Sequence, residues 1–92
     1  MKTLKALKSE LLAKPDTRAA YDAMADEFAL ARELLAARTH AGLTQADVAQ
    51  RMGTTQSTVA RLEAGKGTPS LRSVQRYAQA VGYRAVVRLE HA

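Results

Sequence analysis

Residues 42–69, GLTQADVAQRMGTTQSTVARLEAGKGTP, decide the fold, because Gly42, Gly53 and Gly65 bound two short helix-sized pieces. Thr44 is a good helix N-cap, and Asp47 three residues later makes a capping-box pattern with it. The apolar residues of the first piece are Val48, Ala49 and Met52, and Gly53 ends it. Thr54 or Thr55 caps the second piece, which turns Val59 and Leu62 inward and stops before Gly65. Two short helices across a tight glycine turn have the dimensions of a helix-turn-helix.

The second of these helices has two chemically distinct faces. Measured from Gln56 at about 100° per residue, Ala60, Ser57 and Arg61 fall within an arc of about 140°, while Leu62 and Val59 lie opposite. One face is therefore expected to be buried, and the other offers an amide, a hydroxyl, a small side chain and a guanidinium. That set suits base edges, since Gln matches adenine and Arg matches guanine bidentately, and Thr55 suits a thymine methyl. The candidate base-reading residues are Thr55, Gln56, Ser57 and Arg61. Gln45 opens the first helix, where the positive end of the dipole favours phosphate. Thr44, Arg51, Lys66 and Thr68 are further phosphate candidates.

Outward from this stretch, Ser70 caps a helix carrying Leu71, Val74, Tyr77, Ala78 and Val81, with Gly82 just past its end. The period then changes from 3.6 to 2. In YRAVVRLE (83–90), Ala85, Val87 and Leu89 alternate with Arg84, Val86, Arg88 and Glu90, which reads as a strand. A lone strand has unpaired backbone groups, so it is expected to pair with a second copy or another protein. Upstream, Phe28 to His40 reads as helical with Phe28, Leu34 and Leu35 as core contacts. An alanine-rich helix starts near Asp16, and the pattern leaves open whether 16–40 is one helix or two. Residues 3–14 place Leu4, Leu7 and Leu11 on one stripe of an amphipathic helix that Pro15 ends.

The 92 residues allow one small domain, and cysteine is absent, which excludes disulfides, thiol catalysis and thiolate metal sites. Two histidines far apart in sequence make a zinc site unexpected, and no metal or cofactor is anticipated. The formal charge of +5 is unevenly placed. Residues 1–36 hold six bases and six acids, whereas 37–92 hold eight bases against Asp47, Glu63 and Glu90. An anionic partner is thus expected for the second part and a different task for the first. No stretch approaches the ~20 apolar residues of a membrane span, and no export signal is evident, so a cytoplasmic protein without membrane contact is expected. Ser57 lacks the setting of a nucleophile, and Gly65-Lys66-Gly67 lacks the spacing of a phosphate-binding loop, so an enzyme is not expected.

Gly42-Leu43-Thr44-Gln45, Ala49, Gly53, Thr55-Gln56-Ser57, Val59, Leu62-Glu63, Gly65 and Pro69 together resemble the Cro/C1-type (XRE) family of phage repressors and bacterial regulators. The likeness spans roughly residues 30–82. It implies a mainly α, five-helix, lambda-repressor-like DNA-binding domain (28–82), here with an N-terminal helical extension (1–27) and a C-terminal β-strand (83–92). It also implies that Gln45 contacts the DNA backbone and that Arg38 and Glu63 form a structural ion pair. A dimer on a pseudo-palindromic operator is expected, with Ala85, Val87 and Leu89 in the dimer strand. The whole arrangement looks like HigA-type antitoxins of type II toxin–antitoxin pairs. That resemblance implies autorepression and neutralisation of a HigB/RelE-like mRNA endonuclease, with Leu4, Leu7 and Leu11 as candidate toxin-binding residues. A stand-alone repressor without a toxin partner is the alternative.

Overall fold

Pro15 begins the first helix of the computed structural model, which describes residues 15–92. That helix, α1 (Pro15–His40), is one unbroken rod of 26 residues, so the two-helix alternative for this stretch does not hold. The expected division between residues 27 and 28 falls inside it. Three short helices follow: α2 (Gln45–Met52), α3 (Gln56–Glu63) and α4 (Leu71–Ala80). The described residues thus hold four helices rather than five, and the stripe of Leu4, Leu7 and Leu11 lies outside them.

Local chemistry accounts for each boundary. Thr44 accepts from the Asp47 N–H at 3.0 Å while the Asp47 carboxylate accepts from the Thr44 N–H at 2.9 Å, a reciprocal capping box. Thr55 and Ser70 cap α3 and α4 by accepting from the N–H groups of Thr58 and Ser73. Between α2 and α3 the chain reverses at Gly53, whose φ of 68° is a conformation other residues enter at a cost. There the Thr54 N–H reaches back to the Ala49 carbonyl at 2.9 Å and satisfies an end-of-helix acceptor.

Leu34, Val48, Ala49, Met52, Val59, Tyr77, Ala80 and Val81 form the core, with Leu30, Ala37, Leu43, Leu62 and Val74 packed around it. Among the described side chains of α1, those in its C-terminal half supply the core residues. Leu34 is buried as expected, but Phe28 and Leu35 are 48% and 39% exposed, correcting their assignment to the core. The reason is angular: Leu30, Leu34 and Ala37 form one stripe of α1, and Met24, Leu35 and Phe28 lie about 110–150° around from it. Phe28 does have a neighbour. Its ring lies against Gly65, where an added Cβ would come within 2.5 Å of it. Leu71, at the start of α4, is 51% exposed.

Residues 83–92 form no strand, and none occurs among the described residues, correcting the expected C-terminal β-strand for the isolated chain. The Tyr83 N–H still closes α4 by bonding the Ala78 carbonyl at 2.8 Å. Beyond it the described residues hold no second strand to pair with, so the ladder that defines a strand has nothing to form against.

Candidate nucleic-acid interface

The polar face of α3 is exposed at Gln56, Ser57 and Arg61 and half-buried at Ala60, while Val59 on the opposite side is fully buried. Burial of Val59 fixes the roll of the helix and leaves that polar set facing solvent. Ser57, Arg61 and Lys66 make no hydrogen bond or ion pair among the described residues, so their donors are available to a ligand. Thr55 is committed differently. Its hydroxyl caps α3 and lies 3.0 Å from the Thr58 hydroxyl, which leaves its methyl group as the uncommitted part of the side chain.

Beneath this face runs a chain of hydrogen bonds that ends in the core. Arg38 Nε and Nη2 donate to the two Glu63 carboxylate oxygens at 2.8 and 3.0 Å, a bidentate pair, and Nη1 donates to the Leu43 carbonyl at 3.0 Å. Tyr77 places its hydroxyl 2.6 Å from Glu63 Oε2 and 2.9 Å from the Leu34 carbonyl. Gln45 Nε2 donates to Glu63 Oε1 at 3.1 Å, and Gln56 Nε2 sits 3.4 Å from Gln45 Oε1. A carboxylate only accepts, so Glu63 sets which end of the Gln45 amide turns inward, and Gln45 in turn orients Gln56. One enclosed carboxylate therefore ties α1, α2, α3 and α4 together and reaches Gln56 on the exposed face of α3.

Reading by spacing missed part of this constellation. Tyr77 was legible as a residue of the helix after Ser70 but not as a partner of Glu63, although a buried phenol normally needs an acceptor. Gln45 was assigned to phosphate, yet its side chain is held by Glu63 and Gln56, leaving the α2 N-terminus as the anion-facing element at that position. Two phosphate candidates also have partners within the chain. Arg51 donates to the Ala80 carbonyl at 2.9 Å, and Thr68 donates to Glu27 Oε1 at 3.1 Å. Arg76 reciprocates the first contact by donating to the Met52 carbonyl, so the C-terminal ends of α2 and α4 are clamped by two exchanged guanidinium contacts. Lys66 and Thr68 both line a cleft of about 250 Å³ between α1, α3 and the loop after α3, together with Arg61 and Glu27.

Burial pushes the Glu63 carboxyl up, but the hydrogen bonds from Arg38, Tyr77 and Gln45 outweigh it and hold the group below its ordinary value near 4.5. The Asp47 carboxyl is lowered by the Thr44 N–H and hydroxyl. Both are depressed in the folded state, so their stabilisation is present above the unfolded values and disappears as pH falls through the folded ones. Melting temperature should therefore hold from neutrality to about pH 5 and fall steeply below about pH 4. Glu63→Gln should flatten that fall, which thermal melts across the pH series would show. The same site pushes the Tyr77 phenol well above its usual range, through burial first and then the adjacent carboxylate.

Comparison with known proteins agrees with this geometry. The helix-turn-helix family profile matches residues 34–86, more than half of the chain. The chain is 44% identical over 57 residues to the antitoxin HigA1 of Mycobacterium tuberculosis, a match covering 62% of this chain and 38% of that protein. It is also 44% identical over 45 residues to an HTH-type transcriptional regulator of Methanothermobacter thermautotrophicus, covering 49% of this chain and 65% of that one. The chain thus spans well under half the length of the antitoxin it matches. No solved structure matches it. With the capped helix pair, the glycine turn and the solvent-facing α3 on this profile, the chain belongs to the helix-turn-helix family, and within it to the Cro/C1 type.

Proposed function

We propose that this chain is the antitoxin of a type II toxin–antitoxin pair, a DNA-binding autorepressor that also neutralises a HigB/RelE-like mRNA endonuclease by direct binding. The DNA part rests on one observation: α3 leaves Gln56, Ser57 and Arg61 on a solvent-facing surface while its other side is locked into the core. In this reading α3 enters the major groove. Gln56, Ser57, Arg61 and the Thr55 methyl meet base edges, and Thr44, Gln45 at the α2 N-terminus, Arg51, Lys66 and Thr68 line the phosphates. Lys66 is the strongest of these, since Arg51 and Thr68 must first give up partners in the chain. A single module of this size buries little DNA surface, so the operator is bound as a dimer.

The antitoxin part is supported by the 44% identity to HigA1 and by the character of α1. Residues 19–36 carry Asp22, Asp26, Glu27 and Glu33 against Arg32 alone, so this segment repels phosphate. Its exposed Met24, Phe28 and Leu35 form an apolar stripe suited to a protein partner, continuing the role proposed for Leu4, Leu7 and Leu11. The stand-alone repressor is favoured by a different observation: the family match begins at residue 34, so it bears on DNA binding alone.

Co-expression with the product of the adjacent small reading frame separates the two. The chain should relieve that product's toxicity, and replacing Leu4, Leu7 and Leu11 with serine should abolish relief while leaving promoter binding unchanged. If the unaltered chain gives no relief and binds its promoter normally, the stand-alone repressor is correct.

A further inference from the structure

The tail after α4 is an unpartnered surface. Tyr83, Val86, Val87 and Leu89 are 47%, 73%, 66% and 94% exposed, a dense apolar display for ten residues. Arg88 Nη2 donates to Glu90 Oε1 at 2.9 Å, so these two residues lie on one side of the chain, as a period of two requires. Beneath the tail, Leu30, Leu71 and Val74 line a groove of about 510 Å³ with Ala85 and Val87.

We propose that a second copy of this chain covers the segment, the two tails pairing antiparallel about a two-fold axis through Val87. This rests on the dimer invoked above and fixes its register. Residues directly opposite in an antiparallel pair share a face, so only a two-fold passing through a residue keeps Ala85, Val87 and Leu89 together. An axis through Val86 sets Arg84 against the partner's Arg88. An axis through Arg88 sets that guanidinium against its own copy. Like charges directly opposite destabilise a pair. An axis through Leu89 joins Arg88 to the partner's Glu90 but leaves Val87 facing the partner's His91.

The axis through Val87 opposes no like charges and keeps Ala85, Val87 and Leu89 against one another; on the other face it sets Val86 opposite the partner's Arg88, whose aliphatic stem it can meet. It brings Arg84 opposite the partner's Glu90 twice, Ala85 opposite the partner's Leu89 twice, and Val87 opposite its own counterpart. Opposite charges meet on one face, and an unbroken apolar row forms on the other, above the groove of each copy. The pairing also gives the tail's backbone N–H and C=O groups partners that the other described residues do not supply.

The absence of cysteine makes the register directly measurable. Single substitutions Val86→Cys, Val87→Cys, Arg88→Cys and Leu89→Cys are placed in the full chain and oxidised. Opposed residues on the axis lie within disulfide reach, whereas one step away the copies separate by about 7 Å along the strand. Val87→Cys should cross-link at least about ten-fold faster than the other three, and a mixture of Ala85→Cys with Leu89→Cys should cross-link as a pair. Arg84→Glu should weaken the dimer in sedimentation, and adding Glu90→Arg should restore it. A maximum at residue 86, 88 or 89 overturns the register. A dimer that cross-links at none of these positions overturns the tail interface while leaving the dimer intact, and a monomeric chain overturns both.

Discussion

Glu63→Ala should lower stability by about 3 kcal/mol, near the lower end for breaking a buried ion pair, and the melting temperature by about 10–20 °C. The carboxylate is the common acceptor for Arg38, Tyr77 and Gln45, and its side chain is only 5% exposed. Its removal leaves a guanidinium with 17% exposure facing no anion. The cost is not larger because Arg38 keeps the Leu43 carbonyl and Tyr77 keeps the Leu34 carbonyl. Arg38→Ala should cost less, since the carboxylate then still accepts from Tyr77 and Gln45. Calorimetry of both variants tests this order, and equal melting temperatures would dismiss the view that Glu63 is the hub. Below its melting temperature the Glu63→Ala protein should also bind its promoter somewhat more weakly, because Gln45 no longer has a fixed orientation.

The second large effect concerns DNA. Gln56→Ala combined with Arg61→Ala should reduce affinity for the chain's own promoter by on the order of a hundred-fold or more, given about 1–3 kcal/mol for each good base contact. Affinity for unrelated DNA should change much less at Gln56, which carries no charge, so the ratio of the two affinities is the informative quantity. Lys66→Ala should behave oppositely, weakening both kinds of DNA alike and reducing the salt slope by about one. Anisotropy titrations at several salt concentrations distinguish the patterns. A double variant that keeps the wild-type ratio would mean that α3 does not read the bases.

What could be read beforehand divides along physical lines. The caps at Thr44 and Ser70 and the reversal at Gly53 were legible because they are local, each settled within a few residues, whereas Thr54 and Thr55 were equally good candidates until the structure placed the cap at Thr55. The partnership of Arg38 with Glu63 came from family likeness and not from spacing, for the two stand 25 residues apart. Glu63 with Tyr77 and Gln45 is a matter of tertiary packing, which no periodicity encodes. Phe28 and Leu35 misled because α1 carries more apolar residues than its core stripe uses. The tail misled in a different way: its alternation is real, but a strand exists only in the presence of another.

Tyr77 has a practical corollary. The chain contains no tryptophan and three tyrosines, so its near-ultraviolet spectrum is a tyrosine spectrum. Two of the rings, Tyr21 and Tyr83, are partly or largely in contact with water, whereas Tyr77 is wholly enclosed and bonded to a carboxylate. A phenol so placed has a rigid, asymmetric setting that vanishes when the helices separate. The unlabelled protein thus carries its own optical gauge of folding, located at the junction that joins its interior to the exposed face of α3.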